Sequence, residues 1–212
     1  MESTITYKLN AKAYDVLDLT YFRKAASSPR NAVISIVGDG PLNVLDMCTG
    51  TGTNAIAIAK SNSDAMVTGI DISKAMLAMA TQKLEKDSIP NVKVCEMDAA
   101  NMRFSKDVFD IVLISLVLHE ISDELAGKMI SEAKRVLKPD GKLIVVEWEE
   151  PKNKMQKLAF YLIKKIEHKR FEDFLKLNMN DYFEKHGFEI KQIKHCDYSK
   201  VMTLVKEDEL YV

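Results

Sequence analysis

The feature that most constrains this chain is an alternation between residues 41 and 148. Short apolar runs at 44–47, 65–71, 91–97, 109–115 and 142–148 are separated by stretches of helix-compatible composition. Parallel strands need a crossover of a dozen or more residues, usually a helix, so this rhythm predicts a parallel sheet covered by helices on both faces. The run 109–115, FDIVLIS, is apolar but for Asp110 and the closing Ser115, as expected of a strand buried on both sides. Right-handed crossovers bring every strand's C-terminal end to one edge, where ligands of such sheets bind. Asp46, Asp71, Asp98, Ser115 and Glu147 all fall at that edge.

The first strand leads into Cys48-Thr49-Gly50-Thr51-Gly52, and a helix follows from about Thr53. Glycine serves where a backbone bends sharply or a ligand comes close. The helix start directs free N–H groups and partial positive charge at the same gap, which suits an anionic group. A dinucleotide motif would place a third small residue at Ala55, so a nucleotide reading stays open here. Asp46 argues against a pyrophosphate, because a carboxylate repels phosphate and attracts a cation. A ligand with a cationic and an anionic end fits better, as in the methionine part of S-adenosyl-L-methionine (SAM).

Asp71 ends the second run, 25 residues after Asp46 (71 − 46), one β-α-β unit along. An acid there is placed to accept from both hydroxyls of a ribose. Ser73 already supplies the cap of the next helix. Asp98, after the third run, is placed to accept from an adenine amino group. Past the fourth run lies His119, whose imidazole titrates near neutral pH and suits a general base. Glu147, with Glu120, is the secondary candidate. The fourth helix is expected to start at Ser122 and to close at Lys138-Pro139-Asp140-Gly141.

Outside the alternation the text changes. Residues 1–30 carry Tyr7, Tyr14, Tyr21 and Phe22 on a helical arm, read as a lid over the ligand edge. Residues 151–176 read as an amphipathic helix. Across 152–170 seven bases oppose one acid, a local charge of +6 (7 − 1) on a chain whose net charge is −1. Such a stretch suits either a covering helix with solvated lysines or an interfacial helix on an anionic membrane. A short helix at 178–186 and a terminal antiparallel hairpin, 188–195 with 201–205, complete the chain. The near balance of 30 bases and 31 acids gives no pull toward nucleic acid. Three scattered cysteines suggest neither a disulfide framework nor a metal site. No signal-peptide pattern opens the chain and no apolar run is long enough to span a bilayer, so a cytoplasmic protein is expected, membrane-peripheral if 152–170 meets lipid.

The ordered set VLDMCTGTG, GIDIS, MDAA, FDIVLISLVLHEI and RVLKPDGKLIVVE resembles the class I SAM-dependent methyltransferases, over roughly residues 14–148. It looks most similar to the ubiquinone and menaquinone C-methyltransferase branch and its small-molecule relatives. Arg135 to Glu147 follows that branch's terminal signature with Asp140 and Glu149 substituted, and Tyr14-Asp15 meets part of its N-terminal one. The resemblance implies one α/β domain: a doubly wound, mostly parallel, seven-stranded Rossmann-like sheet with a terminal antiparallel hairpin. Its parts are a lid (1–30), a SAM-binding core (31–150), a helical insert over the acceptor (151–187) and terminal strands (188–212).

It further implies that Asp46, Cys48 (where the family usually has glycine), Gly50 and Gly52 surround the methionine end of SAM. Asp71 holds the ribose, Ile72 and Met76 flank the adenosine, and Asp98 with Ala99 meets adenine. Ser115 lies by the methionine region, and Tyr14 joins the cofactor set. The implied reaction is methyl transfer to a small, apolar or quinone-like acceptor, leaving S-adenosyl-L-homocysteine. A nicotinamide oxidoreductase and a non-catalytic nucleotide-binding module are the competing readings. A base methyltransferase of nucleic acid is disfavoured, since Ser115-Leu116-Val117-Leu118 stands where a (D/N/S)-P-P-(Y/F/W) motif would be. Neither the acceptor atom nor the oligomeric state is legible.

Overall fold

A computed structural model describes residues 27–166 and 169–207. The N-terminal arm with Tyr14, up to residue 26, lies outside the described residues. In chain order the elements are α1 (Pro29–Val37), β1 (Asn43–Met47), α2 (Thr53–Ser61), β2 (Met66–Asp71), α3 (Lys74–Lys86), β3 (Val92–Glu96) and β4 (Phe109–Ser115). There follow α4 (Asp123–Val136), β5 (Leu137–Trp148), α5 (Lys154–Ile166), α6 (Lys169–Leu175), α7 (Met179–Glu184), β6 (Phe188–His195) and β7 (Ser199–Lys206).

The strands form one seven-stranded sheet in the order β3-β2-β1-β4-β5-β7-β6. β1 to β5 run parallel to one another, and β7 runs antiparallel between β5 and β6. The doubly wound sheet is therefore what the alternation predicted, and the terminal hairpin is the one expected of 188–205. Chain order reverses direction at β1, which sits between β2 and β4, so the switch point faces the glycine turn.

Side chains of successive strand residues point to opposite faces, and here both faces are packed. Leu45, Met47, Val112 and Ile114 belong to one core cluster, and Val44, Ile111 and Leu113 to the other. A third, smaller cluster of Trp148, Phe160 and Phe171 attaches the helical insert to the end of β5.

One boundary differs from expectation. The predicted turn at 138–141 is strand: α4 stops at Val136 and β5 begins at Leu137. Phe109 pairs with Leu137, but Ile111 pairs with Lys142, so the register shifts across Pro139. The ladder to β7 starts only at Leu143, so Pro139 costs no hydrogen bond on that side. A Cβ at Gly141 would stand 2.7 Å from the Leu137 side chain and 3.0 Å from the Asp110 carbonyl, so the irregular start closes only around glycine. Over the insert, expected to be helical across 151–176, the described residues form α5 and α6.

Candidate active site

The glycine turn is built from three left-handed residues in alternate positions: Cys48 (φ 55°), Gly50 (φ 57°) and Gly52 (φ 75°). Gly52 caps α2 without a side chain, and a Cβ there would lie 3.0 Å from that of Ala80 on α3. Gly50 has open space where a Cβ would stand, so a ligand can approach its backbone. Cys48 holds the same geometry against a steric cost of about 1–2 kcal/mol. Burial, then the surrounding carboxylates beginning with Asp71, push its thiol up to about 12, so it is not a thiolate nucleophile.

Two carboxylates organise this turn. Asp71, the last residue of β2, accepts from the Gly50 N–H through Oδ2 (2.9 Å) and from the Ser73 N–H through Oδ1 (2.8 Å). It ties the turn to the start of α3, and each oxygen keeps a second lone pair for a hydroxyl. Asp46 is 2% exposed and accepts from the Thr49 hydroxyl at 2.5 Å. Burial raises its pKa from 3.8 to about 7 against the Thr49 and Ala55 hydrogen bonds that lower it, with the Asp71 charge adding a further rise. Thr49 reaches Asp46 because its β2 neighbour is Gly69: a Cβ there would lie 2.9 Å from the threonine side chain.

Beside the turn, a groove of about 550 Å³ is lined by Ile72, Glu96, Met97, Asp98, Asn101 and Arg103. Ile72 is 69% exposed and offers this groove a bare apolar face. Asp98 is exposed, and its Oδ1 accepts from the Ala100 N–H (2.8 Å). Two expected neighbours are placed differently. Ala99 packs into the core, and Met76, half-buried, is not among the groove's walls. Met97, Asn101 and Arg103 were missed because loop residues after a strand carry no periodicity to reveal which way they face, and Glu96 because it is the last residue of β3, where the alternation ends.

A second centre lies across β4. The turn after Ser115 passes through Leu116 in a left-handed conformation (φ 56°), an outlier for a bulky residue. Glu147, 0% exposed near the end of β5, holds this turn. Its Oε1 accepts from the N–H groups of Val117 (3.2 Å) and Leu118 (2.8 Å), and its Oε2 pairs with His119 Nδ1 at 2.7 Å. The two candidate bases, 28 residues apart in sequence, are thus one unit. With Nδ1–H donated to Glu147, Nε2 is the basic nitrogen, 3.8 Å from the Glu120 carboxylate. His119 is 2% exposed, with Phe171 and Phe174 edge-on to its ring at 5.4 and 6.3 Å. No group of three or more His, Cys, Asp or Glu suited to a metal occurs among the described residues.

Comparison with known proteins bears on this arrangement. A family described as a methyltransferase domain matches residues 44–141. A demethylmenaquinone methyltransferase of Lactobacillus johnsonii is 34% identical over 143 residues, 65% of this chain and 56% of that protein. Another, of Thermus thermophilus, is 33% identical over 166 residues, 78% of this chain and 72% of that protein. The chain spans about half the length of several further proteins of that name. A SAM-dependent methyltransferase from Aquifex aeolicus superposes with a TM-score of 0.70, covering 96% of this chain and 98% of that one. At 19% identity this is a likeness of fold.

Proposed function

Because the chain belongs to the class I SAM-dependent methyltransferase family, we propose that it methylates an apolar, quinol-like acceptor, with His119 and Glu147 managing the acceptor's proton. The observation that carries this is the buried His119–Glu147 pair at the ligand edge, one strand away from the glycine turn. The family relatives named demethylmenaquinone methyltransferases support a quinone-type acceptor.

The turn and groove fit SAM in charge and shape. Asp46, poised near pH 7 by burial, gains a counter-charge from an ammonium. The open backbone at Gly50 admits the methionine end, Asp71 has lone pairs for the ribose, and exposed Ile72 with Asp98 suits an adenine. Bound there, SAM supplies an electrophilic methyl group on a sulfonium. The chain's task is alignment, exclusion of water and proton transfer. In a quinol the acceptor hydroxyl gives its proton to His119 Nε2. Glu147 keeps Nδ1–H in place and balances the imidazolium that forms.

The test is turnover of a short-chain 1,4-naphthoquinol with labelled SAM. His119→Gln should lower kcat by about 10²-fold or more and leave the SAM Kd unchanged. The deep burial of His119 favours a second reading, in which the pair only fixes the turn after β4. Full-rate His119→Gln enzyme of lowered stability would establish that reading instead.

A lipid-like acceptor also gives the outer face of α5 a role. Met155, Leu158 and Tyr161 are 83%, 73% and 52% exposed, and Lys154, Lys157 and Lys165 lie among them. Lysine is depleted at protein interfaces, so this mixed face suits an anionic lipid surface better than a protein partner. No described helix is long and apolar enough to cross a membrane, so the contact is peripheral. Co-sedimentation with phosphatidylglycerol vesicles should fall with salt and with Leu158→Glu. Equal recovery with neutral vesicles would refute the lipid contact.

A further inference from the structure

A cleft of about 470 Å³ opens between the start of α4 and the α6 region, lined by Asp123, Arg170, Asp173, Phe174 and Leu177. Two buried hydrogen-bond donors here have no partner among the described residues: the Nε–H of Arg170, a wall of the cleft, and the hydroxyl of Tyr182, whose ring packs edge-on to the Phe174 wall. Tyr182 is 4% exposed, and burial pushes its hydroxyl up to about 12, so it stays a donor at any working pH. Its charge environment is set by Asp123 and Arg170, two walls of the cleft, and its ring stands edge-on to a third, Phe174, at 6.0 Å. Arg170 is already oriented, because its Nη2 donates to Asp123 Oδ1 at 2.7 Å.

A buried donor without an acceptor costs about 1–3 kcal/mol. Two such donors at and just behind the walls of one cleft are, among the described residues, a cost without a structural return. Phe174 links this cleft to the proposed base: its ring faces Tyr182 on one side and His119, at 6.3 Å, on the other. The walls choose the ligand class. Phe174 and Leu177 call for a flat apolar body, and the two donors call for an acceptor oxygen on it. Asp123 and Asp173 line the same space and repel a multiply charged phosphate.

We infer that Tyr182 and Arg170 form a subsite for an oxygen of an aromatic methyl acceptor, holding its ring over Phe174. This rests on the proposed small-molecule methyl transfer and adds the groups that position its acceptor.

The test is calorimetry with 1-naphthol, a redox-stable probe, on protein saturated with S-adenosyl-L-homocysteine, alongside thermal unfolding. Tyr182→Phe should weaken 1-naphthol binding at least tenfold and leave the S-adenosyl-L-homocysteine Kd unchanged. Its Tm should hold or rise, because no buried hydroxyl remains to satisfy. A structural hydroxyl would behave oppositely, and a Tm several degrees lower with unchanged naphthol binding overturns the subsite. Arg170→Leu gives an independent reading with the same expected loss. Wild-type protein that fails to bind 1-naphthol also overturns it. Naphthol binding that depends on Tyr182, in a protein that methylates no quinol, would keep the subsite and remove the quinol reading.

Discussion

Asp46 and Glu147 are both buried carboxylates at the same edge of one sheet, on strands separated only by β4, and the chain treats them differently. Glu147 receives two backbone N–H groups and an imidazole, all within 3.2 Å. Asp46 receives the Thr49 hydroxyl and one backbone N–H, that of Ala55, and burial still outweighs them. The difference teaches how to read a buried acid. One fully supplied with donors by a neighbouring turn is an anchor, and its removal loosens that turn. One left short of donors beside an open backbone awaits a cation, and it is a burden to the protein alone.

The largest expected effect is on the anchor. Glu147→Ala strands two N–H groups and the His119 ring, so it should destabilise the fold by about 3–5 kcal/mol, read by urea unfolding. A loss below about 1 kcal/mol would break the comparison from that side.

Asp46 should respond with the opposite sign. Its folded pKa, about 7, lies above the unfolded value of 3.8. The stability contributed by its neutral form is therefore present in full below the unfolded pKa and is lost as pH rises through 7. Between pH 5 and 8 the ligand-free protein should lose about 3 kcal/mol from this group. Asp46→Asn should remove that slope, make the ligand-free protein more stable at pH 8, and weaken SAM binding. Parallel stability–pH curves for wild type and Asp46→Asn would contradict it.

The smallest effect sharpens the comparison within the turn. Cys48 pays no part in proton chemistry and holds a left-handed backbone, so Cys48→Gly should relieve roughly 1 kcal/mol of strain. Unfolding midpoints with and without SAM would show whether the gain is confined to the turn's backbone or also alters the ligand site.

Much of the sheet was legible because the apolar runs are short and each ends in a turn or an acid. β4 was bounded to the residue, since the run from Phe109 to Ile114, broken only by Asp110, sets it off from the charged Asp107 and the turn after Ser115. The start of β5 was not. Pro139 and Gly141 spell a turn locally, and only pairing to Phe109 on β4 makes the segment strand. In the site, Asp46, Asp71 and Glu147 could be placed by their position at strand ends. The bond between His119 and Glu147 could not, because it joins the ends of two strands through a turn whose backbone geometry no periodicity encodes. Arg170 counted in the sequence only as one base of the stretch 152–170, and Tyr182 carried no signal there, because the meaning of both lies in what stands across the cleft.

Gly69 carries a consequence for how this sequence can drift. A methyl group at 69 would meet Thr49 at 2.9 Å and swing away the hydroxyl that holds Asp46. The same methyl group would press on the Thr49 Oγ1 and Cβ, at 2.9 and 3.0 Å, so a serine at 49 would not make room for it. Position 69 is accordingly held at glycine for as long as position 49 must offer Asp46 a hydroxyl, although 20 residues and a whole helix separate them in the chain.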